Sequence, residues 1–556
     1  MGRGKKGGRE MKARDLTRVG FRQILRAAWS VTRPERRGTM RRMVALWVVG
    51  VLAMGGLAGI WSVEAQTPVA GGTLSFAAGA DPDSLDPQNT QSNPGEQVNR
   101  MMYDNLVRFS TKMQLEPALA ESWTSSKDGL TWTFKLRKGV RFHDGTAFDA
   151  KAVKYFFDRV LGDEKPFKAS LYTPFVQGAQ VVDDSTVRVT LKQPFAAFLF
   201  RLAHSAGGIV SPAAHQKWGK DLTLHPVGTG PFKFVEWVKG DRVVLERNDG
   251  YWGGRPLLDR VTVKTVKEDS ARVLMLESGD TDLILNIPPE DIPRLRKDAR
   301  FAVESIATAR ALYIMINLKK KPFDDVRVRQ ALNHAINREA IVKSLFQNNA
   351  EAISGIVAPL QNGYAKLPGY AYDPKKAKEL LAQAGVPALK VKLWSPKGRY
   401  VKDFELAQAV QQDLSAIGVD AALSTMEWGA YLSATKTGPE QTDRELFLLG
   451  WSPSTGEAQW GTFPLLHSSQ LAPKGDNRGF FVSKALDDAL DKATTATSDQ
   501  ARLGALREVQ QIVIKEAPAI FLISPNMIVG TTKKVHGVVN LPLELTYLTE
   551  KSWKEK

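Results

Sequence analysis

Between residues 115 and 160 the order of apolar and polar residues first has the period of a strand and then that of a helix. Residues 132–136 alternate apolar and polar side chains, which predicts a half-buried strand. The turn-forming pair Asp144-Gly145 follows. Asp149 is then a favourable N-cap for a helix whose apolar positions recur at helical spacing, namely Val153, Phe156, Phe157 and Val160. The pattern therefore predicts a hairpin that leads into an amphipathic helix.

Beyond residue 310, predicted strands and helices alternate along the chain. Helical periodicity predicts one helix that begins after Asp324 or Asp325, and two others over residues 403–417 and 498–515. Such alternation is typical of α/β units in which crossover helices bury the strands. The apolar runs predict strands at residues 313–317, 391–394, 421–425, 445–450 and 519–523.

Near the N-terminus one segment is apolar throughout. Residues 44–61 form an 18-residue run without a charge, preceded by Arg41-Arg42 and followed by the small-x-small site Val63-Glu64-Ala65. This layout predicts a secretory signal peptide over residues 40–65, with Gln66 as the mature N-terminus. A retained membrane tether is the alternative. Residues 1–39 are basic and are interpreted as an over-called start or an extended leader. The expected location is the periplasm.

The composition and the missing motifs argue against several classes of binding site and enzyme. The formal net charge is +17, but residues 1–43 alone hold 14 Lys/Arg and 3 Asp/Glu, so a nucleic-acid-binding surface is not indicated for the rest. The absence of cysteine excludes disulfides, thiolate metal sites and cysteine nucleophiles. The sequence motifs of serine hydrolases, P-loop NTPases and zinc peptidases are missing, and the seven histidines lack metal-ligand spacing. We therefore predict no cofactor, no metal and no enzymatic activity.

Several short sequence blocks carry a family resemblance. Residues 121–145 contain ESW, WTF, LRKGV and FHDG in this order, and the blocks GTGPF and NDGYWGG follow at 228–232 and 248–254. These blocks closely resemble those of family 5 extracytoplasmic solute-binding proteins, the peptide-binding components of ABC importers. Residues 398–400 and 450–460 resemble the glutathione- and dipeptide-binding branch. The chain departs from the family at Ala152, where an acidic residue is usual.

The resemblance implies an α/β, bilobed periplasmic-binding-protein fold with discontinuous lobes joined by a hinge. Lobe I with an inserted subdomain would span residues 66–304, lobe II residues 305–518, and residues 519–556 would return to lobe I. The lobes of the monomer would close on a short peptide or glutathione and deliver it to ABC transporter permease subunits. The alternatives are another solute (a nickel chelate, an opine or an oligosaccharide), a periplasmic chaperone or adhesin, and a secreted peptide hydrolase.

Candidate site residues follow from the same resemblance. Arg399 matches the residue that holds the ligand carboxylate in dipeptide-binding relatives, and the planar fork of a guanidinium suits both carboxylate oxygens. Trp451, together with Tyr400 and Trp460, is expected to form an aromatic wall of the cleft. Trp428 matches a family block but is equally compatible with packing.

The expected partner of a ligand ammonium departs from the family pattern. Peptide binders of the family usually carry an Asp shortly after the Gly-Trp pair, where this chain has Ser454-Thr455. The nearest carboxylate, Glu457, is therefore predicted to take this role. The departure is compatible with glutathione, whose γ-linked Glu places ammonium and carboxylate on one carbon. Further polar contacts are predicted from the first loop, through Asp81, Ser84 and Asp86.

Overall fold

The computed structural model of the protein describes residues 67–556, so the predicted leader segments, residues 1–39 and 40–65, lie outside the described residues. Within residues 67–556 no helix combines the length and the apolar character needed to cross a membrane. Two large mixed β-sheets organise this part of the chain, and each has its own hydrophobic core. The predicted bilobed α/β fold is confirmed.

Lobe I is built on a seven-stranded sheet. The Thr73–Ala78 strand runs parallel to both of its neighbours, and the other neighbouring pairs are antiparallel. In spatial order the strands are Phe301–Ile306, Met527–Thr532, Leu283–Leu285, Thr73–Ala78, Arg260–Thr265, Arg242–Arg247 and Phe232–Val238. The α-helices of this lobe are Asn93–Met102, Ala150–Leu161, Phe198–Ala203, Pro212–Trp218, Asp269–Ser278 and Ile292–Lys297.

A four-stranded antiparallel sheet continues the core of lobe I. It contains the predicted strand, observed as Thr131–Leu136. Asp149 caps the following helix as predicted, since its carboxylate accepts the backbone N–H groups of Lys151 and Ala152 at 2.8 and 3.0 Å. Ala152 itself is buried in the core, which an acidic side chain would disturb. In spatial order the strands are Ala120–Ser125, Thr131–Leu136, Thr186–Leu191 and Val176–Asp183.

Lobe II is built on a six-stranded sheet. Its last three strands run parallel, and the helix Asp403–Ser415 makes the predicted crossover between two of them. In spatial order the strands are Ala350–Ala352, Ala519–Pro525, Ala311–Ile316, Leu446–Trp451, Leu389–Lys397 and Val419–Glu427. The other helices are Val326–Ala335, Arg338–Ser344, Pro374–Gln383, Trp428–Thr435, Ala458–Leu466, Lys484–Thr494 and Asp499–Glu516.

Short elements complete the lobes. The strand pair Val539–Leu541 and Leu545–Tyr547 packs into the core of lobe I and carries the turn at Glu544. The two other pairs join Val107–Phe109 with Leu115–Pro117 and Val535–His536 with Trp553–Lys554. The 3₁₀-helices are Phe167–Leu171, Ser205–Gly207, Gly219–Leu224, Pro439–Gln441 and Ser468–Gln470.

The chain crosses between the two large sheets at residues 307–310 and again at Asn526. The strand Ala519–Pro525 belongs to the sheet of lobe II, and Met527–Thr532 to that of lobe I. The predicted boundaries at 304/305 and 518/519 are therefore too early, the second by a whole strand. A fully buried strand is apolar on both faces, so its sequence does not tell which sheet it joins.

Candidate functional site

Arg399 lies in a loop that is fixed by one buried carboxylate. The loop follows the strand Leu389–Lys397 and precedes the helix Asp403–Ser415. The side chain of Asp403 accepts the backbone N–H groups of Gly398, Arg399 and Tyr400 at 3.1, 2.8 and 3.0 Å. Because Asp403 is itself buried, this network holds the backbone of Arg399 in one position.

The guanidinium of Arg399 rests on two aromatic rings. Its central carbon lies 5.0 Å from the ring centroid of Tyr400 and 5.1 Å from that of Trp428. Among residues 67–556 the side chain makes no hydrogen bond and no ion pair, and the residue is exposed. Partial loss of water where the guanidinium meets the two rings, together with the charge of Arg310, lowers the pKa of Arg399. The five N–H donors of this side chain are therefore available to an acceptor from outside the chain.

A second arginine and a glutamate complete the surroundings of the Tyr400 ring. Arg310, at the first crossing between the lobes, donates from Nε to Oε1 of Glu544 at 2.7 Å, and its Nη2 donates to Oε2. The Arg310 guanidinium lies 5.5 Å from the Tyr400 centroid. Burial would raise the pKa of Glu544, but Arg310 and Arg399 hold it below its ordinary value. We refer to Arg310, Arg399, Tyr400 and Glu544 as the Tyr400 cluster.

Tyr400 and Trp451 are both tied to the end of the strand Leu446–Trp451. The Tyr400 hydroxyl accepts the Gly450 N–H at 2.9 Å and faces the Gly450 carbonyl oxygen at 3.3 Å. The indole Nε1 of Trp451 donates to the backbone oxygen of Trp460 at 3.0 Å, and the ring packs against the core of lobe II. Trp428 stacks on Tyr431 as well as under Arg399. Tyr400 and Trp428 hold Arg399 in place, and the contact of Tyr400 and Trp451 with a ligand remains a prediction.

Glu457 has a structural role that argues against its predicted role as an ammonium partner. It is fully buried and caps the helix Ala458–Leu466, accepting the N–H groups of Gln459 and Trp460 at 2.7 and 3.0 Å. Its Oε1 lies 3.6 Å from Nη2 of Arg201, on the lobe I helix Phe198–Ala203. Two backbone donors and a buried guanidinium already satisfy this carboxylate, so it is not offered to a ligand.

Trp460 joins the two lobes through the same arginine. The Arg201 guanidinium lies 4.4 Å from the Trp460 ring and donates to Oε1 of Gln459 at 3.0 Å. Burial, partly offset by Glu457, lowers the pKa of Arg201. Trp460 packs against the lobe I core, and we refer to Arg201, Glu457, Gln459 and Trp460 as the interlobe contact.

The remaining predicted polar residues differ in their surroundings. Ser454 is half-buried in the loop before Glu457. Ser84 is buried and bonds to Thr223 Oγ1 at 3.0 Å, so its hydroxyl serves the fold of lobe I. Asp86 pairs with Arg159. Asp81 accepts from the indole of Trp237 and from the Thr265 hydroxyl, both at 3.2 Å. Ser84 and Asp86 are therefore committed within lobe I, whereas Asp81 accepts through one carboxylate oxygen only.

Two members of the Tyr400 cluster were missed by sequence reasoning. Arg310 and Glu544 are 234 residues apart, and neither lies in a family block.

Elsewhere between the lobes lies a cavity of about 590 Å³, bordered by Trp132 and Phe200 of lobe I and by Asn362 of lobe II. No predicted site residue lines that cavity. Within residues 67–556 no group of three or more His, Asp or Glu side chains could hold a metal ion.

Comparisons with known proteins agree with this architecture. Residues 114–472 match the model of the middle region of bacterial extracellular solute-binding proteins, family 5. The chain is 36% identical over 492 residues to the glutathione-binding protein GsiB of Pectobacterium atrosepticum, covering 87% of this chain and 95% of that protein. The predicted family resemblance is therefore confirmed.

Solved structures with the same fold bind different solutes. The periplasmic binding protein DppA of Helicobacter pylori, solved with the peptide STSA, is 32% identical with a TM-score of 0.71, covering 86% of this chain and 98% of that one. NikZ of Campylobacter jejuni, solved with Ni(L-His), is 25% identical with a TM-score of 0.73, covering 87% and 99%. The family match over more than half of the chain, with the GsiB identity, shows that the protein belongs to the family 5 bacterial extracellular solute-binding proteins.

Proposed function

We propose that the protein captures glutathione or a short peptide between its lobes and delivers it to the permease subunits of an ABC importer. The single observation that carries the proposal is the guanidinium of Arg399. It rests on two aromatic rings, its backbone is fixed by Asp403, and its donors have no acceptor among residues 67–556. A carboxylate is the natural complement of such a fork.

The balance of charge favours a ligand with an excess of negative charge. Arg310 and Arg399 face only Glu544 within the Tyr400 cluster, and the Asp403 carboxylate behind the loop acts on Arg399 more weakly than Glu544 does. The cluster therefore holds one positive charge in excess. Glutathione has two carboxylates and one ammonium, whereas a plain dipeptide is neutral overall. The GsiB relative supports the same choice.

Binding and release would follow from movement at the two crossing segments. Closure brings groups from both lobes onto one ligand, and the closed, monomeric complex is the form that a permease would receive. No covalent step is needed for this activity.

We further propose that the mature protein is periplasmic and begins near Gln66. N-terminal sequencing of the secreted protein tests this. An intact residue 1 together with co-sedimentation with membranes would identify a retained anchor instead.

Native mass spectrometry of protein purified from its own cells identifies a retained ligand directly. Calorimetric titration with glutathione, dipeptides and a nickel–histidine chelate then ranks the candidates. Micromolar or tighter binding of glutathione or a peptide supports the proposal. Tighter binding of the nickel chelate would assign a different solute to the same fold, as in the NikZ neighbour. Cleavage of the peptides on incubation would instead indicate a hydrolase.

A further inference from the structure

We propose that Glu544 holds the ligand ammonium and that Glu544 and Arg399 together bind an α-amino-acid head group, with its ammonium and carboxylate on one carbon. This inference rests on the proposed function and names the substrate class of the same site, γ-glutamyl peptides. The carboxylate would pair with Arg399 of lobe II and the ammonium with Glu544 of lobe I. The two side chains come from different lobes, so one head group would join them.

Two other carboxylates near this part of the chain are already committed. Glu457 is fully buried, where it caps a helix and pairs with Arg201. Asp403 is also buried and accepts four backbone N–H groups, the fourth being that of Phe404 at 2.9 Å. A carboxylate that is satisfied in this way gains nothing from a further cation that must first lose its water.

Glu544 retains acceptor capacity, because part of its side chain is exposed. Arg310 occupies one edge of the carboxylate through a two-point contact, which uses about two of its roughly four acceptor positions. The Glu544 side chain is 23% exposed, whereas that of Arg310 is only 10% exposed. The Arg310 contact fixes the orientation of the carboxylate, and the remaining lone pairs are open to a donor from solvent or from a ligand.

Glu544 lies near the ring on which the Arg399 guanidinium rests. Both guanidiniums of the Tyr400 cluster lie within 5.5 Å of the same ring centroid, and Arg310 holds Glu544 beside them. A carboxylate and guanidiniums around one ring complement a ligand that carries its ammonium and its carboxylate on one carbon. The γ-glutamyl end of glutathione has this arrangement. An α-linked peptide places its ammonium and its terminal carboxylate at opposite ends.

The test is a double-mutant-type thermodynamic cycle that measures the coupling between the Glu544 side chain and the ligand ammonium. Wild type and Glu544→Gln are titrated with glutathione and with glutaryl-cysteinylglycine, which keeps both carboxylates but lacks the ammonium. Glu544→Gln should weaken glutathione by about 10–100-fold, the range of one charge-assisted hydrogen bond. The same substitution should leave the affinity for glutaryl-cysteinylglycine within about threefold. Wild type should also bind the α-linked isomer of glutathione more weakly than glutathione.

Glu516→Gln is the matched control, because Glu516 is likewise a partly exposed glutamate paired with a buried arginine, Arg329, at 3.6 Å. It should leave both affinities unchanged. Equal weakening of both ligands by Glu544→Gln would show that Glu544 acts only through Arg310 and would overturn the inference. If Glu544→Gln does not fold in a thermal unfolding scan, Glu544→Asp replaces it in the cycle, and the same equal weakening would overturn the inference.

Failure of the inference differs visibly from failure of the proposed function. If wild type binds glutathione but shows no coupling in the cycle, the function stands and the role of Glu544 is wrong. If wild type binds neither glutathione nor any peptide, the proposed function fails and the inference fails with it.

Discussion

Replacing Glu457 with Gln removes one negative charge from the interlobe contact while keeping nearly the same side-chain shape. Arg201 then retains a positive charge with only 1% of its side chain exposed. Its remaining acceptor is Oε1 of Gln459, since among the described residues its Nε and Nη1 have no hydrogen-bond partner. Breaking a buried ion pair by removing one partner costs about 3–5 kcal/mol, because the other charge stays in a medium that solvates it poorly.

That cost is large beside the stability of an ordinary protein, about 5–15 kcal/mol. Urea unfolding of the mature chain, followed by tryptophan fluorescence, should therefore show a clearly lower midpoint for Glu457→Gln than for wild type. Glu516→Gln is again the matched control. Its carboxylate is 34% exposed, so the same chemical change should cost less than about 1 kcal/mol.

Affinity measured on the folded variant separates the two possible roles of Glu457. The structure predicts that Glu457→Gln loses stability while its affinity for glutathione falls less than about tenfold, because the carboxylate faces Arg201 and the helix N-terminus. Wild-type stability combined with a strong loss of affinity would refute this reasoning. That result would support the sequence-based prediction that Glu457 binds the ligand ammonium.

Two further predictions concern pH and the approach of the lobes. His143 accepts the Gly228 N–H and donates to the Gly230 oxygen, and burial is the main cause that lowers its pKa to about 4. Its stabilising contribution is complete above the unfolded pKa of about 6.5 and is lost on acidification towards pH 4, by up to about 3 kcal/mol; His143→Gln should flatten this part of the stability–pH curve. Gly456 has φ +69°, and an added Cβ would lie 2.3 Å from Cε of Met113, in lobe I. Gly456→Ala should therefore lower the unfolding free energy by about 1–2 kcal/mol, and an unchanged urea midpoint would contradict that close approach.

Local elements of the fold could be predicted from the sequence because their causes are local. The strand Thr131–Leu136 follows from its alternation, and the helix Ala150–Leu161 follows from Asp149 and a buried face of helical period. The same reasoning found the crossover helix Asp403–Ser415. The lobe to which Ala519–Pro525 belongs could not be predicted, since an apolar strand fits either sheet.

The candidate site was only partly predictable for a related reason. The loop of Arg399 was found through its family block, and the structure adds the Asp403 network that fixes it. The pairing of Glu457 with Arg201 could not be predicted, because Arg201 lies far away in the sequence on the other lobe. Glu544 was missed because its position beside Arg310 arises from tertiary contacts alone. When two charged residues pair across the lobes, the sequence around neither residue shows a pattern that predicts the pair.

We propose that Arg399 binds a ligand carboxylate between the lobes. It is tested most directly by calorimetric titration of glutathione against wild type, Arg399→Ala and Arg137→Ala. Arg137 is the matched control because it also stacks on an aromatic ring, that of Trp252 at 4.6 Å, but within lobe I. Arg399→Ala should lose about 2–5 kcal/mol of binding free energy, and Arg137→Ala almost none. Wild-type affinity in Arg399→Ala, or an equal loss in both variants, would contradict the account.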